Sequence, residues 1–222
     1  MKIASRCYNP RMEYMLGLSL VYIVFIGALM SPGPDLLITM RNALGYSARA
    51  GVFTALGIAV ALTIHMSYCI AGIGLLISQS IVLFNLIKWV GAAYLVYIGI
   101  HSLRSKGADL RAETVTHDLK GKVKSDRQAF VNGFVTNVFN PKATMFFLAL
   151  FSQMLDPSLP LSLAVAFCGL CIATAFIWFS AVSFVLASPP ARRAYGRASQ
   201  WIDRVFGGFF IGLAVKLALS RH

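Results

Sequence analysis

Asp35 is the residue to start from. It follows Ser31-Pro32-Gly33-Pro34 inside an apolar stretch that runs from about Tyr14 to Met40. Neither proline has an N–H to give, and each ring clashes with the turn before it, so a helix must break here. Of the eight acidic residues, only Asp35 is expected within an apolar segment; the others are expected in loops or near helix ends. An acid at membrane depth costs roughly 2.5–3.5 kcal/mol on insertion scales, which makes it a functional candidate by default. Gly33 can cap, and Pro34 suits the first position of a new half-helix. Asp35 could carry a coupling proton, hold an ammonium group, or only cap that half-helix.

Asn140-Pro141-Lys142 is a second break, near the middle of another apolar stretch. Asn140 is a good N-cap and Pro141 a good first helical residue. Two half-helix N-termini would then converge with free N–H groups and positive dipole ends, a natural receptor for a carboxylate. Lys142 could add charge for that carboxylate or pair with Asp35. A zwitterionic amino acid would satisfy both kinds of partner.

Other reactive residues are more ambiguous. Cys168-Gly169-Leu170-Cys171 allows a redox role, but no basic neighbour is present to depress a thiol pKa, and cysteine packs well as a small apolar residue. His65 and Cys69 stand at i, i+4 and could supply half a metal site, with no further ligand in view. Gly208 and Gly212 form a GxxxG, which suggests close helix contact within or between chains, so a homo-oligomer is open. No cofactor and no resident metal is expected, and no enzymatic activity.

The elements that must position these groups are apolar helices. Hydrophobic residues make up 58% of the 222 and charged ones 13%, about half the usual share of charge. Mean hydropathy is +0.72. Segments of near or beyond ~18 residues with few charges mark membrane spans. The expected fold is an all-α polytopic membrane protein of about six transmembrane helices. Their ranges are about 14–40, 50–77, 81–103, 129–155, 161–187 and 201–219, with helices 1 and 4 broken. Each half begins with a proline-broken helix and ends with a glycine-rich one. Three helices per half is an odd number, so the halves would form inverted repeats, as in secondary transporters. One transmembrane domain, 12–222, is expected, with repeat one at about 12–103, a charged loop at 104–128 and repeat two at about 129–222. Residues 1–11 are polar, and Met12 and Met15 are alternative starts.

The net charge of +12 sits in the connections and calls for no nucleic acid, since no aromatic-basic stripe offers a stacking surface. Arg41 and Arg49, the loop after Arg104, and Arg192, Arg193 and Arg197 flank alternate connections, which places those connections in the cytoplasm. Lys2, Arg6 and Arg11 oppose that orientation unless translation begins later.

Several motifs resemble one family. Ala28 to Asp35, Gly91 to Gly99, Gly133 to Ala143, and Arg192-Arg193-Ala194-Tyr195 through Trp201-Ile202-Asp203 are similar to the LysE/RhtB amino-acid exporters, the last to their threonine/homoserine branch. The resemblance implies export of amino acids or close derivatives across the bacterial inner membrane, driven by proton exchange. Exporters of basic amino acids in that family tend to carry an acid in helix two. None stands between Gly51 and Ile77 here, which favours a small neutral substrate such as threonine or homoserine. The site residues so implied are Gly33, Pro34, Asp35, Asn140, Pro141 and Lys142. Two other classes remain open: a transmembrane thiol–disulfide carrier, which would stop working if its cysteines were changed to serine, and a metal-ion exporter, which should show more intramembrane His, Cys or acid.

Overall fold

A computed structural model describes residues 10–79, 81–107, 125–144, 146–147 and 159–219. Every regular element among them is helical. They are α1 (Pro10–Met30), α2 (Pro34–Gly45), α3 (Ala48–Gln79), α4 (Ile81–Leu103), α5 (Asp126–Val138), α6 (Leu161–Val185) and α7 (Pro189–Leu219), with a further helical stretch at 141–144. Among the described residues two helices are long and apolar enough to cross a bilayer, at Ala48–Tyr68 and Leu161–Val185. The pair α1 and α2 passes together, bent by 47° at its break.

Local chemistry explains most of the boundaries. Pro34 opens α2, and Gly33 before it is extended, with φ −166° and ψ −178°. α2 runs past Met40 to Gly45, because nothing from Arg41 to Leu44 breaks a helix. α5 starts with a capping box in which Ser125 Oγ accepts from Gln128 N–H at 3.3 Å and Gln128 Oε1 accepts from Ser125 N–H at 3.4 Å.

The last helix corrects the sequence expectation. Pro189-Pro190 does end the preceding helix region, but it also opens α7, twelve residues before the expected start at Trp201. Proline is tolerated in a first helical turn, where its missing N–H has no partner to lose. Arg192, Arg193 and Arg197 therefore lie on a helix, not in a loop. Arg192 Nη1 donates back to the carbonyls of Leu186 and Ala187 at 2.9 and 2.8 Å, closing the end of α6. The shift also corrects the view of Asp203. It lies well inside α7 and is buried, so Asp35 is not alone as an acid within a packed helix.

Packing fixes the directions of the helices. Arg49 and Asp126 form an ion pair at 2.7 Å, and His65 reaches Asn137 further along, so α3 and α5 run parallel. Gly57 and Gly133 permit their close approach, since a Cβ on either would overlap a carbonyl of the other helix, Phe130 or Thr54. Gly51 touches Ser183 near the end of α6, so α6 returns to the end where α3 began. α4 and α7 cross through Gly99 and Gly207. A Cβ on Gly99 would lie 2.9 Å from the Gly207 carbonyl, and one on Gly207 2.8 Å from that of Gly99. The basic flanks of α2, α3, α5 and α6 thus gather at one end of the bundle.

The core lies between the breaks and the opposite end. Phe25, Phe146, Phe147 and Phe210 form an aromatic cluster with ring centroids 5.5–6.5 Å apart. Phe25 precedes the first break and the Phe146-Phe147 pair follows the second. The cluster therefore sits on the side of both breaks away from the basic end.

Candidate functional site

The two breaks meet. Asp35, in the first turn of α2, reaches across to the end of α5, where its Oδ2 accepts from Asn137 Nδ2 and from Asn140 Nδ2, both at 3.0 Å. Its Oδ1 is buried without a hydrogen-bond partner. The carboxylate does not cap its own helix, for Gly33 holds the N-cap position with no side-chain bond there. Asn140 does cap: its Oδ1 accepts from Lys142 N–H at 3.0 Å, just where Pro141 restarts the helix. One amide thereby holds the carboxylate and starts the second half-helix.

Lys142 turns to the first break. Its Nζ donates to Ser31 Oγ at 3.0 Å and approaches Gly33. Among the described residues Lys142 and Asp35 form no direct ion pair. Ser31 passes the contact on, donating to Asp203 Oδ1 at 2.7 Å. Asp203 Oδ2 accepts from Ser105 Oγ at 2.5 Å, and Ser105 Oγ accepts from Gly107 N–H at 3.1 Å. The hydroxyl of Tyr195 donates to the carbonyl of Met30 at the rim of the first break.

All six of Gly33, Pro34, Asp35, Asn140, Pro141 and Lys142 stand at this junction. Five line one of two adjoining cavities, and Pro141 offers its carbonyl to the Tyr94 hydroxyl at 3.1 Å. The cavity at Asp35 holds about 50 Å³ and is walled by Phe25, Phe146, Phe147 and Phe179, which is room for a few waters. The second, at Asp203, holds about 360 Å³.

Two supporting residues, Asn137 and Asp203, are missing from the site read in the sequence, and a third, His65, has a role other than the half metal site considered there. Asn137 supplies one of the two donors to Asp35. His65 Nε2 meets the Asn137 carbonyl at 3.0 Å, and Nδ1 meets the Tyr68 hydroxyl at 2.8 Å. A carbonyl only accepts, so Nε2 carries a proton, and in a neutral ring Nδ1 accepts from the Tyr68 O–H. His65 thus satisfies a backbone carbonyl beside the second break. The side chain of Cys69 is outside the described residues. Asp203 could have been found as a second acid at helical spacing within α7, had Pro189-Pro190 been taken as a helix start. The described cysteines, Cys168 and Cys171, are buried free thiols on α6 that line neither cavity at the breaks. Gly208 and Gly212 have no atom within 4 Å of a would-be Cβ, so the described chain packs nothing against their GxxxG.

Comparison with known proteins accords with this geometry. Residues 26–221 match the family described as LysE type translocator. The chain is 32% identical over 202 residues to the threonine efflux protein of Escherichia coli K12, covering 90% of this chain and 97% of that one. It is 30% identical to the homoserine/homoserine lactone efflux protein of Salmonella typhimurium, covering 87% and 91%. An uncharacterized membrane protein of Vibrio cholerae is 32% identical over 197 residues. No solved structure matches significantly. A membrane protein whose apolar helices break at Pro-Gly-Pro-Asp and Asn-Pro-Lys, matched over nearly its whole length, belongs to the LysE type translocators.

Proposed function

We propose that this protein is a secondary exporter of small neutral amino acids or their derivatives, threonine and homoserine among them, in a bacterial inner membrane. The observation that carries this is the meeting of Asp35 and Lys142 at two converging helix breaks. One supplies a carboxylate with an oxygen free of partners, the other an ammonium beside two half-helix N-termini. A zwitterion needs both signs of charge, and a cavity walled by aromatic rings strengthens each contact. The names of the relatives add threonine and homoserine as cargo.

Gly33 and Pro34 shape the first half-helix start, and Asn140 and Pro141 the second. Asp35 takes the coupling proton or the ammonium, and Lys142 takes the carboxylate. An ionisable group held within the bundle supports export driven by protons. Six spans in two inverted repeats fit the helix directions. The α1–α2 pair, α3 and α4 each run opposite to their counterparts α5, α6 and α7, as an inverted repeat requires. That makes one transmembrane domain, with the basic end in the cytoplasm. The small cavity, with aromatic rings on one side and Lys142 and Ser31 on the other, would have to widen to take cargo.

The test is a panel of labelled amino acids loaded into cells that overproduce the protein. Faster loss of threonine, homoserine or another neutral amino acid than from control cells is expected, with growth protection against the same compound. Efflux confined to metal ions, or none above control, overturns the proposal.

A further inference from the structure

Asp203 has no part in the reading above, yet it is 5% exposed and sits well inside α7. Its partners are two hydroxyls, Ser31 at 2.7 Å and Ser105 at 2.5 Å. Among the described residues no cation lies within 4 Å of it. The nearest positive charge shown is the Lys142 ammonium, which stands one hydroxyl away from this buried carboxylate and not in contact with it.

The cavity it lines is several times larger than that at Asp35, about 360 Å³ against about 50 Å³. The two cavities share only Ser31, Gly33, Pro34 and Lys142. The larger one also reaches Ser105 and Gly107, where α4 leads into the charged connector. It therefore opens toward the basic end of the bundle. Across it, Lys142 and Asp203 stand one hydroxyl apart. Ser31 Oγ accepts from Nζ at 3.0 Å and donates to Oδ1. Tyr94 and Tyr97 line the same space, and Tyr97 stacks on His101 with centroids 6.3 Å apart.

We propose that this vestibule is a second binding site, which receives the zwitterionic head of a neutral amino acid before it reaches Asp35. Asp203 takes the ammonium and Lys142 the carboxylate. The proposal rests on the amino-acid export reading. A zwitterion complements an ammonium and a carboxylate facing one another, whereas a ligand with one charge leaves the other group uncompensated. By taking the place of the Ser31 hydroxyl, the amino acid would undo the link that separates the vestibule from the inner cavity. Binding and admission would then be one event.

The test uses everted membrane vesicles, whose cytoplasmic face is outside, and labelled threonine and homoserine. Asp203→Asn is expected to raise KM about tenfold or more with little change in maximal rate, the loss of one charge-assisted hydrogen bond. Asp35→Asn is expected to lower the maximal rate instead. An unchanged KM in Asp203→Asn overturns the site and leaves the export reading standing. A purely structural role for Asp203 would reduce the amount of protein or its rate, not its KM.

A second arm works with Asp203 intact. Tyr97→Cys is placed in a chain whose own cysteines are replaced, and labelled with a membrane-impermeant maleimide. Threonine should slow labelling, and 3-hydroxybutyrate, the same skeleton without the ammonium, should not. Equal protection by both, or by neither, overturns the site even if Asp203→Asn fails to reach the membrane. If the unmodified chain neither moves nor binds either amino acid, the export reading falls and this site falls with it.

Discussion

Asn140 donates its Nδ2 to Asp35 Oδ2 at 3.0 Å across 105 positions of chain, while its Oδ1 caps the half-helix that begins at Pro141. The same amide joins the two breaks and starts one of them. Asn140→Ala removes a cap worth about 0.5–2 kcal/mol and leaves Asp35 with one donor instead of two. Thermal stability in detergent should fall, and efflux with it. Asn140→Asp keeps the cap and replaces the donor by a second carboxylate. Repulsion between the two buried carboxylates should cost it at least as much stability as Asn140→Ala, and it should be equally poor in transport. Fluorescence-detected size exclusion after heating, beside efflux from loaded cells, separates the two effects. Pro141→Ala should weaken apparent affinity while the cap remains.

Asp35→Asn keeps an oxygen to accept from Asn137 and Asn140 but loses the charge and the titratable proton. The protein should reach the membrane in normal amount and export nothing. Wild-type efflux from this variant would remove Asp35 from the mechanism.

Glycines divide by what a methyl group would meet. Gly57→Ala and Gly133→Ala drive a Cβ into a backbone carbonyl of the neighbouring helix, and each should cost about 1–3 kcal/mol by overpacking. Gly208→Ala and Gly212→Ala meet nothing within 4 Å and should leave monomer stability unchanged. Melting of the four purified variants ranks them.

The Arg49–Asp126 ion pair and the Gly51–Ser183 contact bring the starts of α3 and α5 and the end of α6 to one face. Single cysteines at Arg49 and Ser125 should react with an impermeant thiol reagent only from the cytoplasm. A cysteine at Ser162, at the other end of α6, should react only from outside. Any two of these labelling from the wrong side would reverse the orientation. The ion pair itself is exposed, so Arg49→Ala should cost under about 1 kcal/mol.

Cys168 and Cys171 pack in the core and line neither cavity at the breaks. Replacing them by alanine, together with Cys7→Ser and Cys69→Ser, should leave amino-acid efflux intact. Loss of efflux with normal membrane insertion would reopen the thiol–disulfide carrier.

The sequence by itself determined where the helices break and what stands at each break. A proline without an N–H, an asparagine ready to cap and a run of apolar side chains act within a few residues of themselves. Asp35, Asn140 and Lys142 were therefore legible, and so was the all-helical, apolar character of the chain. Even local signals can cut two ways: Pro189-Pro190 stops one helix and starts the next, and taking only the first sense hid Asp203 near an expected helix end. Tertiary structure alone decided which groups meet. Whether Lys142 answers Asp35 or Ser31, whether His65 holds a metal or the Asn137 carbonyl, and whether Asp203 faces lipid or a cavity all depend on helix rotation and crossing. Those are set by contacts between segments far apart in the chain, such as Gly57 and Gly133 on α3 and α5 or Gly99 and Gly207 on α4 and α7, and no local pattern carries them.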